Sequence, residues 1–368
     1  MRPVAAVLAA FFVGLALSGT AALATGDNGT AASTFAAIRR ASLAGGVDEA
    51  GYRPIGGIEQ WVTVRGRHKD APLLLFLHGG PGFTSTPTSY VETAGWQEYF
   101  LVAEWDQRGA GKTLARAPDN QGRLTIERMV DDAEAIAADL RQRYHRKTIV
   151  LMGHSWGTVL GVELARRHPD WFSVYVGMGQ FVDFQTSERM GFEKTLADAK
   201  AAGNAEAVKG LQAIAPYPDP AHPERDLAHI EAERGYLNTY RGEYWTGDGA
   251  TYAGLANLSP DVTGADLAVR NRGMASSIQA LWPAVSRVSF EDDTRFELPI
   301  VLIEGRHDRA VSAELAAAWF GRLQAPRKRL VWFEDSAHQM PNEEPGKLLV
   351  TLVNEVLPLA TDGHTRSP

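Results

Sequence analysis

Between the apolar run Thr148 to Met152 and a helix-like stretch from Thr158 to Arg167 stands the pentapeptide Gly153-His154-Ser155-Trp156-Gly157. A strand, a glycine-flanked serine turn and a helix in that order constrain the fold more than any other feature of the chain. A serine hydroxyl projects clear of its own backbone only on a sharp strand-to-helix turn, and such a turn crowds its neighbours. Glycine at 153 and 157 leaves room for that backbone, while the start of the helix points N–H groups toward an anion. This is the pattern of a nucleophile elbow, with Ser155 as nucleophile and the Trp156 N–H as one donor to a developing oxyanion. Taken alone, Gly-x-Ser-x-Gly also closes ordinary turns, and the chain holds 36 glycines. Its weight comes from its placement and from three further motifs.

The first is His78-Gly79-Gly80-Pro81-Gly82, directly after the apolar strand Leu73 to Leu77. Glycines let a backbone N–H approach a reacting oxygen, so this loop is expected to supply the second oxyanion donor, from Gly80 or, next in order, Gly79. The alternative is a tight Gly/Pro turn. His78 reads as structural. The other two motifs carry Asp308, in Glu304-Gly305-Arg306-His307-Asp308 after the strand Pro299 to Ile303, and His338, in Asp335-Ser336-Ala337-His338 after the strand Arg329 to Phe333. Both fall at carboxyl ends of strands, where open α/β sheets place their sites, and Ser, Asp, His is the chain order of that arrangement. His338 would take the proton of Ser155 during attack and Asp308 would hold the imidazole tautomer. Asp183, after the strand near Val174 to Val176, is the substitute acid.

With these residues in place, the chain resembles the α/β-hydrolase superfamily and, within it, the prolyl iminopeptidase-like serine aminopeptidases. His78-Gly79-Gly80-Pro81-Gly82 together with Trp105-Asp106-Gln107-Arg108-Gly109-Ala110-Gly111 is similar to that family's two amino-terminal signatures, Ser155-Trp156-Gly157 to its elbow, and Gly305 to Asp308 to the segment bearing its aspartate. The resemblance implies a triad of Ser155, Asp308 and His338, a helical cap between two parts of the core, and release of an amino-terminal residue, often proline, from peptides. Departures fall where substrate is chosen. The family usually has glycine in place of His154 and small residues in place of Phe83-Thr84. Its cap segments that hold a free amino group are not recognisable here. Glu231, Glu233 and Glu243 are of the right type in the right region, either to pair with an ammonium or as solvated helix-face charges.

An esterase, lactonase or amidase would use the same triad, and a non-catalytic binding protein could share the fold. An epoxide hydrolase or dehalogenase would place aspartate at the elbow, which Ser155 opposes. With net charge −7 and no basic stripe, nothing suggests nucleic acid. Cysteine is absent and the ten histidines show no ligand spacing, so neither metal nor cofactor is expected, and the partner is a small peptide or other small acyl substrate.

Strand and helix patterns alternate through the chain, predicting a mostly parallel sheet covered on both faces. Ile58 to Val64 reads as an antiparallel lead-in to Leu73 to Leu77. Met129, Val130, Ala133, Ile136, Ala137, Leu140 and Tyr144 recur at helical spacing behind the N-cap Thr125. The organisation expected is a signal peptide over 1–24, a flexible alanine-rich leader over 25–55, core over 56–183, a mainly helical cap over 184–290 whose aromatics roof the pocket, and core again over 291–360. Arg2, the apolar run Val4 to Leu17 and the small-x-small site Ala22-Leu23-Ala24 have the layout of a secretory leader, so an exported protein, periplasmic or secreted, is expected, with membrane attachment only through an uncleaved leader. Asp106 and Arg108 are expected to brace their loop, and His307 to be a packing neighbour.

Overall fold

The computed structural model describes residues 28–119 and 121–361. The expected leader peptide over 1–24, with its cleavage site at Ala24, lies outside them. Eight strands form one sheet: β1 (Val47–Ile55), β2 (Ile58–Gly66), β3 (Leu73–Leu77), β4 (Leu101–Trp105), β5 (Ile149–His154), β6 (Phe172–Met178), β7 (Ile300–Gly305) and β8 (Lys328–Phe333). Their order is β1-β2-β4-β3-β5-β6-β7-β8, with β1, β2 and β4 paired antiparallel and β4 through β8 parallel. Strands β3, β4, β5 and β7 are buried at every residue, which is why they read as largely apolar runs, broken only by Glu104, His154 and Glu304 near their carboxyl ends. Alternate residues serve opposite faces. Leu73, Leu75, Leu77 and Leu151 pack with Met129, Ile136 and Leu164 on one side. Leu74, Phe76, Val150 and Met152 pack with Trp96, Leu348 and Val356 on the other.

Two expectations need correction. Strand β2 does not lead into β3; it pairs antiparallel with β4, Val62 opposite Trp105, and β3 runs inside. Order also begins well before Gly56: a helix spans Asn28–Ser42 and β1 pairs with β2 over its whole length, from Val47 opposite Gly66 to Ile55 opposite Ile58. The hairpin turns through Gly56 and Gly57, whose φ of 55° and 81° suit glycine. Strand β1 escapes pattern reading because it is an edge strand containing Gly51 and Pro54, with most residues at least partly exposed.

The helix Ile126–Arg143 forms as its spacing predicts: Thr125 accepts from the Arg128 N–H, and six of the seven predicted apolar positions are buried, while Tyr144 stands partly buried at the C-cap just past the helix. Between β6 and β7 the chain leaves the sheet for five helices, Phe184–Ala201, Ala205–Ala213, Pro223–Thr239, Gly249–Leu255 and Gly264–Val285. Asp183 caps the first of these by accepting from Thr186 N–H at 2.7 Å. The helix Asn28–Ser42 ties this insertion to the core. Arg39 and Arg65 both grip Asp261, at 2.7 and 2.8 Å, and Phe35 lies against Tyr90, whose hydroxyl donates to the Leu255 carbonyl.

Candidate active site

Ser155 stands between β5 and the helix Trp156–Arg167 with φ 54° and ψ −123°, a conformation non-glycine residues rarely adopt. The crowding the motif implied is present. A Cβ on Gly157 would lie 2.0 Å from the Leu77 carbonyl oxygen, and one on Gly153 would lie 2.6 Å from the Gly157 oxygen. The Ser155 N–H donates to Met178 O at 3.0 Å, anchoring the turn to β6.

The His78 loop comes up beside the elbow. A Cβ on Gly79 would sit 3.4 Å from that of Ser155, and Gly80 has φ 128°. The two are joined by Gln107, whose side-chain oxygen accepts from the Trp156 indole at 3.0 Å while its amide donates to His78 O at 3.1 Å. The Gln107 backbone N–H donates to His78 Nε2 at 3.2 Å, so the proton of that ring sits on Nδ1, which donates to Gly79 O at 2.7 Å. Burial pushes the His78 pKa down to about 4, fixing it as a neutral structural imidazole. Asp106 and Arg108 brace separate loops, not each other. Asp106 accepts from Thr84, from Thr86 at 2.6 Å and from Lys112 N–H at 2.7 Å, and Arg108 pairs with buried Asp132 at 2.6 Å.

At the ends of β7 and β8, His338 Nδ1 lies 2.7 Å from Asp308 Oδ2, and Asp308 Oδ1 accepts from Val311 N–H at 2.9 Å. Of the two candidate acids the fold brings Asp308 to the histidine; Asp183 is spent on its helix cap. Burial pulls the His338 pKa down, but the charge and hydrogen bond of Asp308, with Glu243 adding, outweigh it and raise the value to about 9. Gly179, at φ 57°, closes on this pair: a Cβ there would lie 3.1 Å from His338 Cε1. His154 lies alongside, its ring centroid 4.9 Å from that of His338 and its Nε2 3.1 Å from the His338 carbonyl oxygen, to which it must donate. Burial and the neighbouring imidazole push His154 down to about 3, so His338 is the ring that carries charge. His307 stacks flat on Trp245 at 3.4 Å. A turn of the insertion holds both loops from above, since His338 N–H donates to Glu243 O at 3.0 Å and Arg309 N–H to Gly242 O at 3.1 Å.

Ser155, His338, Gly79, Gly80 and Trp156 open on one cavity of about 200 Å³. Phe181, Phe184, Ile230, Tyr244, Tyr252 and Trp282 form much of its wall, and the charged groups reaching it are Glu92, Glu188, Arg234, Glu243 and Arg270. Glu243 therefore reaches the cavity, accepting from Gln339 at 2.6 Å. Glu231 does not line it. Glu233 lies fully buried behind it, paired with Arg234, and burial pushes its carboxyl up despite that partner. Arg234 also binds Glu188, which accepts from Tyr217 at 2.6 Å. Gln107, Gly179, Glu188, Arg234 and Arg270 carry no sequence signature in isolation. Only Gln107, inside the glycine-rich segment that also holds Asp106 and Arg108, sat within a motif. Among the described residues no group of three or more potential ligands could hold a metal ion, and no helix is long and apolar enough to cross a membrane.

The profile of the alpha/beta hydrolase family matches residues 74–352. The probable aminopeptidase YbaC of Bacillus subtilis is 30% identical over 316 residues, spanning 81% of this chain and 93% of that protein. A probable proline iminopeptidase of Leptolyngbya boryana is 24% identical over 322 residues, 79% of this chain and 89% of its own. Among solved structures, a proline iminopeptidase-related protein of Thermus thermophilus has a TM-score of 0.61 at 23% identity, covering 86% of this chain and 99% of that one. A haloalkane dehalogenase variant from Bradyrhizobium elkanii reaches 0.60 at 17% identity, covering 87% and 99%, so likeness of fold does not by itself separate the chemistries. Over most of its length, then, this chain belongs to the alpha/beta hydrolase family and is a hydrolase of the proline iminopeptidase-like kind.

Proposed function

We propose that the protein cleaves an acyl bond through a covalent serine intermediate and that its substrates are peptides with a free amino terminus. The observation that carries this reading is the 2.7 Å bond from Asp308 to His338 on a cavity that also holds Ser155 in its positive-φ turn. Ser155 Oγ attacks the carbonyl carbon as His338 Nε2 accepts its proton, while Asp308 stabilises the imidazolium. The oxyanion is met by the Trp156 N–H and by Gly80 or Gly79. Collapse expels the amine, which takes the proton from His338, and water enters by the reverse steps to free the acid and Ser155.

For the amino terminus, the Glu243 carboxylate is the group we assign, because it reaches the cavity and its partner Gln339 is uncharged. Glu188 is already met by Arg234. That pairing, with an aromatic and aliphatic wall, is what favours the second reading, an esterase, lactonase or amidase on the same triad. Unblocked prolyl and alanyl arylamides, their N-acetyl counterparts and a short acyl ester, each with Ser155→Ala as control, separate the two. Cleavage of the free amines alone supports the aminopeptidase; turnover of the ester alone leaves the triad and removes the peptidase. We further propose, from the layout of residues 1–24, that the protein is exported; amino-terminal sequencing of the extracytoplasmic fraction should begin at Thr25.

A further inference from the structure

We propose that Arg270 receives a carboxylate of the substrate, so that the preferred substrates are short peptides with a free carboxyl group; this rests on the aminopeptidase reading above. Arg270 projects from the helix Gly264–Val285 into the cavity, its guanidinium 4.0 Å above the ring of Phe83. Phe83 directly follows the His78 loop, and that helix packs on the loop so tightly that a Cβ on Gly82 would lie 2.6 Å from Gly273 O. The cation is thus held beside the proposed oxyanion site.

What distinguishes Arg270 from the other cation of the cavity is its lack of a close partner. Arg234 has two carboxylates. Arg270 forms no ion pair within 4 Å among the described residues, and its Nε is buried without a hydrogen-bond acceptor. The carboxylate whose charge it feels most is Glu92, which also lines the cavity. Burial lowers the Arg270 pKa to about 10 with Glu92 opposing, so the guanidinium stays charged at neutral pH. A half-buried guanidinium whose Nε has no acceptor is a site for a planar carboxylate, which can take two N–H bonds at once. Glu243 lies by His338 and Arg270 over Phe83, so the one cavity presents an anion and a cation to its occupant. That is the complement of a zwitterionic peptide.

The test is calorimetric binding to Ser155→Ala enzyme of alanylalanine, of alanylalaninamide, and of glutamylalaninamide, which moves the carboxylate to the acyl side chain. The dipeptide should bind on the order of tenfold or more tightly than its amide, and Arg270→Gln should abolish the difference while leaving amide affinity near its starting value. Recovery of affinity by glutamylalaninamide, again lost in Arg270→Gln, would place the guanidinium on the acyl side and still support the assignment. Equal affinity for the dipeptide, its amide and glutamylalaninamide, no binding of any of them, or an equal loss for all three on Arg270→Gln, overturns it. The two readings fail separately. Discrimination without turnover by the Ser155 enzyme removes the peptidase and keeps Arg270; turnover without discrimination does the reverse.

Discussion

The indole of Trp156 donates to the side-chain oxygen of Gln107 at 3.0 Å, and through Gln107 the elbow is fastened to His78. One amide sets the spacing between the two segments that would hold the oxyanion. Gln107→Leu keeps the volume and removes both bonds, leaving a buried indole N–H and a buried carbonyl without partners. The expected cost is about 1–3 kcal/mol of stability. A fall in kcat on the order of tenfold or more should accompany it, since a misplaced donor weakens transition-state binding. Urea unfolding and steady-state kinetics on the same preparation check both.

Gly179→Ala should damage turnover far more than folding. The added methyl would lie 3.1 Å from His338 Cε1 and 3.2 Å from Nδ1, at a φ of 57° that alanine disfavours. A displaced imidazole is expected to cost about a hundredfold in kcat, and the backbone strain about 1 kcal/mol of stability. Ester hydrolysis and thermal unfolding give the two numbers.

The charge state of His338 predicts an alkaline profile. Its pKa is raised to about 9, so at neutral pH the free enzyme holds the imidazolium, whereas attack by Ser155 needs the neutral ring. kcat/KM should therefore climb with pH, with a midpoint above the ordinary histidine value of about 6.5. Glu243→Gln removes one negative charge that favours the imidazolium, so its midpoint should move to lower pH. An uncharged ester is the substrate of choice, because an ammonium would titrate in the same range.

Ser155→Gly and Ser155→Ala should both be inactive, by about a thousandfold or more, yet differ in stability. Glycine adopts φ 54° without strain and alanine does not. The glycine variant should unfold with a free energy about 1 kcal/mol higher than the alanine variant. Denaturant titration of the pair decides it.

Asp261→Asn tests the amino-terminal helix as part of the folded unit. It takes one charge from Arg65, whose side chain is 2% exposed, and from Arg39 at 19%. Asp48 remains for both, at 3.1 and 3.4 Å. Breaking a buried pair outright costs about 3–5 kcal/mol; with that second acid in place the loss should be about 2–3 kcal/mol. Hydrogen exchange should also rise in the helix Asn28–Ser42 and around Ala256 to Leu258.

Strands buried on both faces announced themselves, because apolar residues dominate there, with Glu104 and Glu304 the charged exceptions in β4 and β7. Leu73 to Leu77 and Ile149 to Met152 are such runs, and Ser155 and Asp308 could be picked out because each follows one, whereas His338 follows the half-exposed β8, legible only through its apolar end Leu330 to Phe333. Strand β1 could not be picked out, since an exposed edge makes few demands on its side chains. Nor could the charges of the cavity. Glu188 and Arg234 are 46 positions apart and meet only because two helices of the insertion pack together. Glu231, Glu233 and Glu243 look alike in sequence, and the turn of one helix decides that the first faces away while the second is buried.

The turn at Gly242 and Glu243 reaches beyond recognition. Its carbonyls receive the N–H groups of Arg309 and His338, so the segment that reaches the cavity also steadies the loops carrying Asp308 and His338. A chimaera that grafts the insertion of another family member onto this sheet would exchange specificity and, unless it restores those two acceptors, would also loosen the proton-transfer pair. On the proposed mechanism, reactivity and selectivity in this chain would be mechanically linked, and neither would be transplanted without the other.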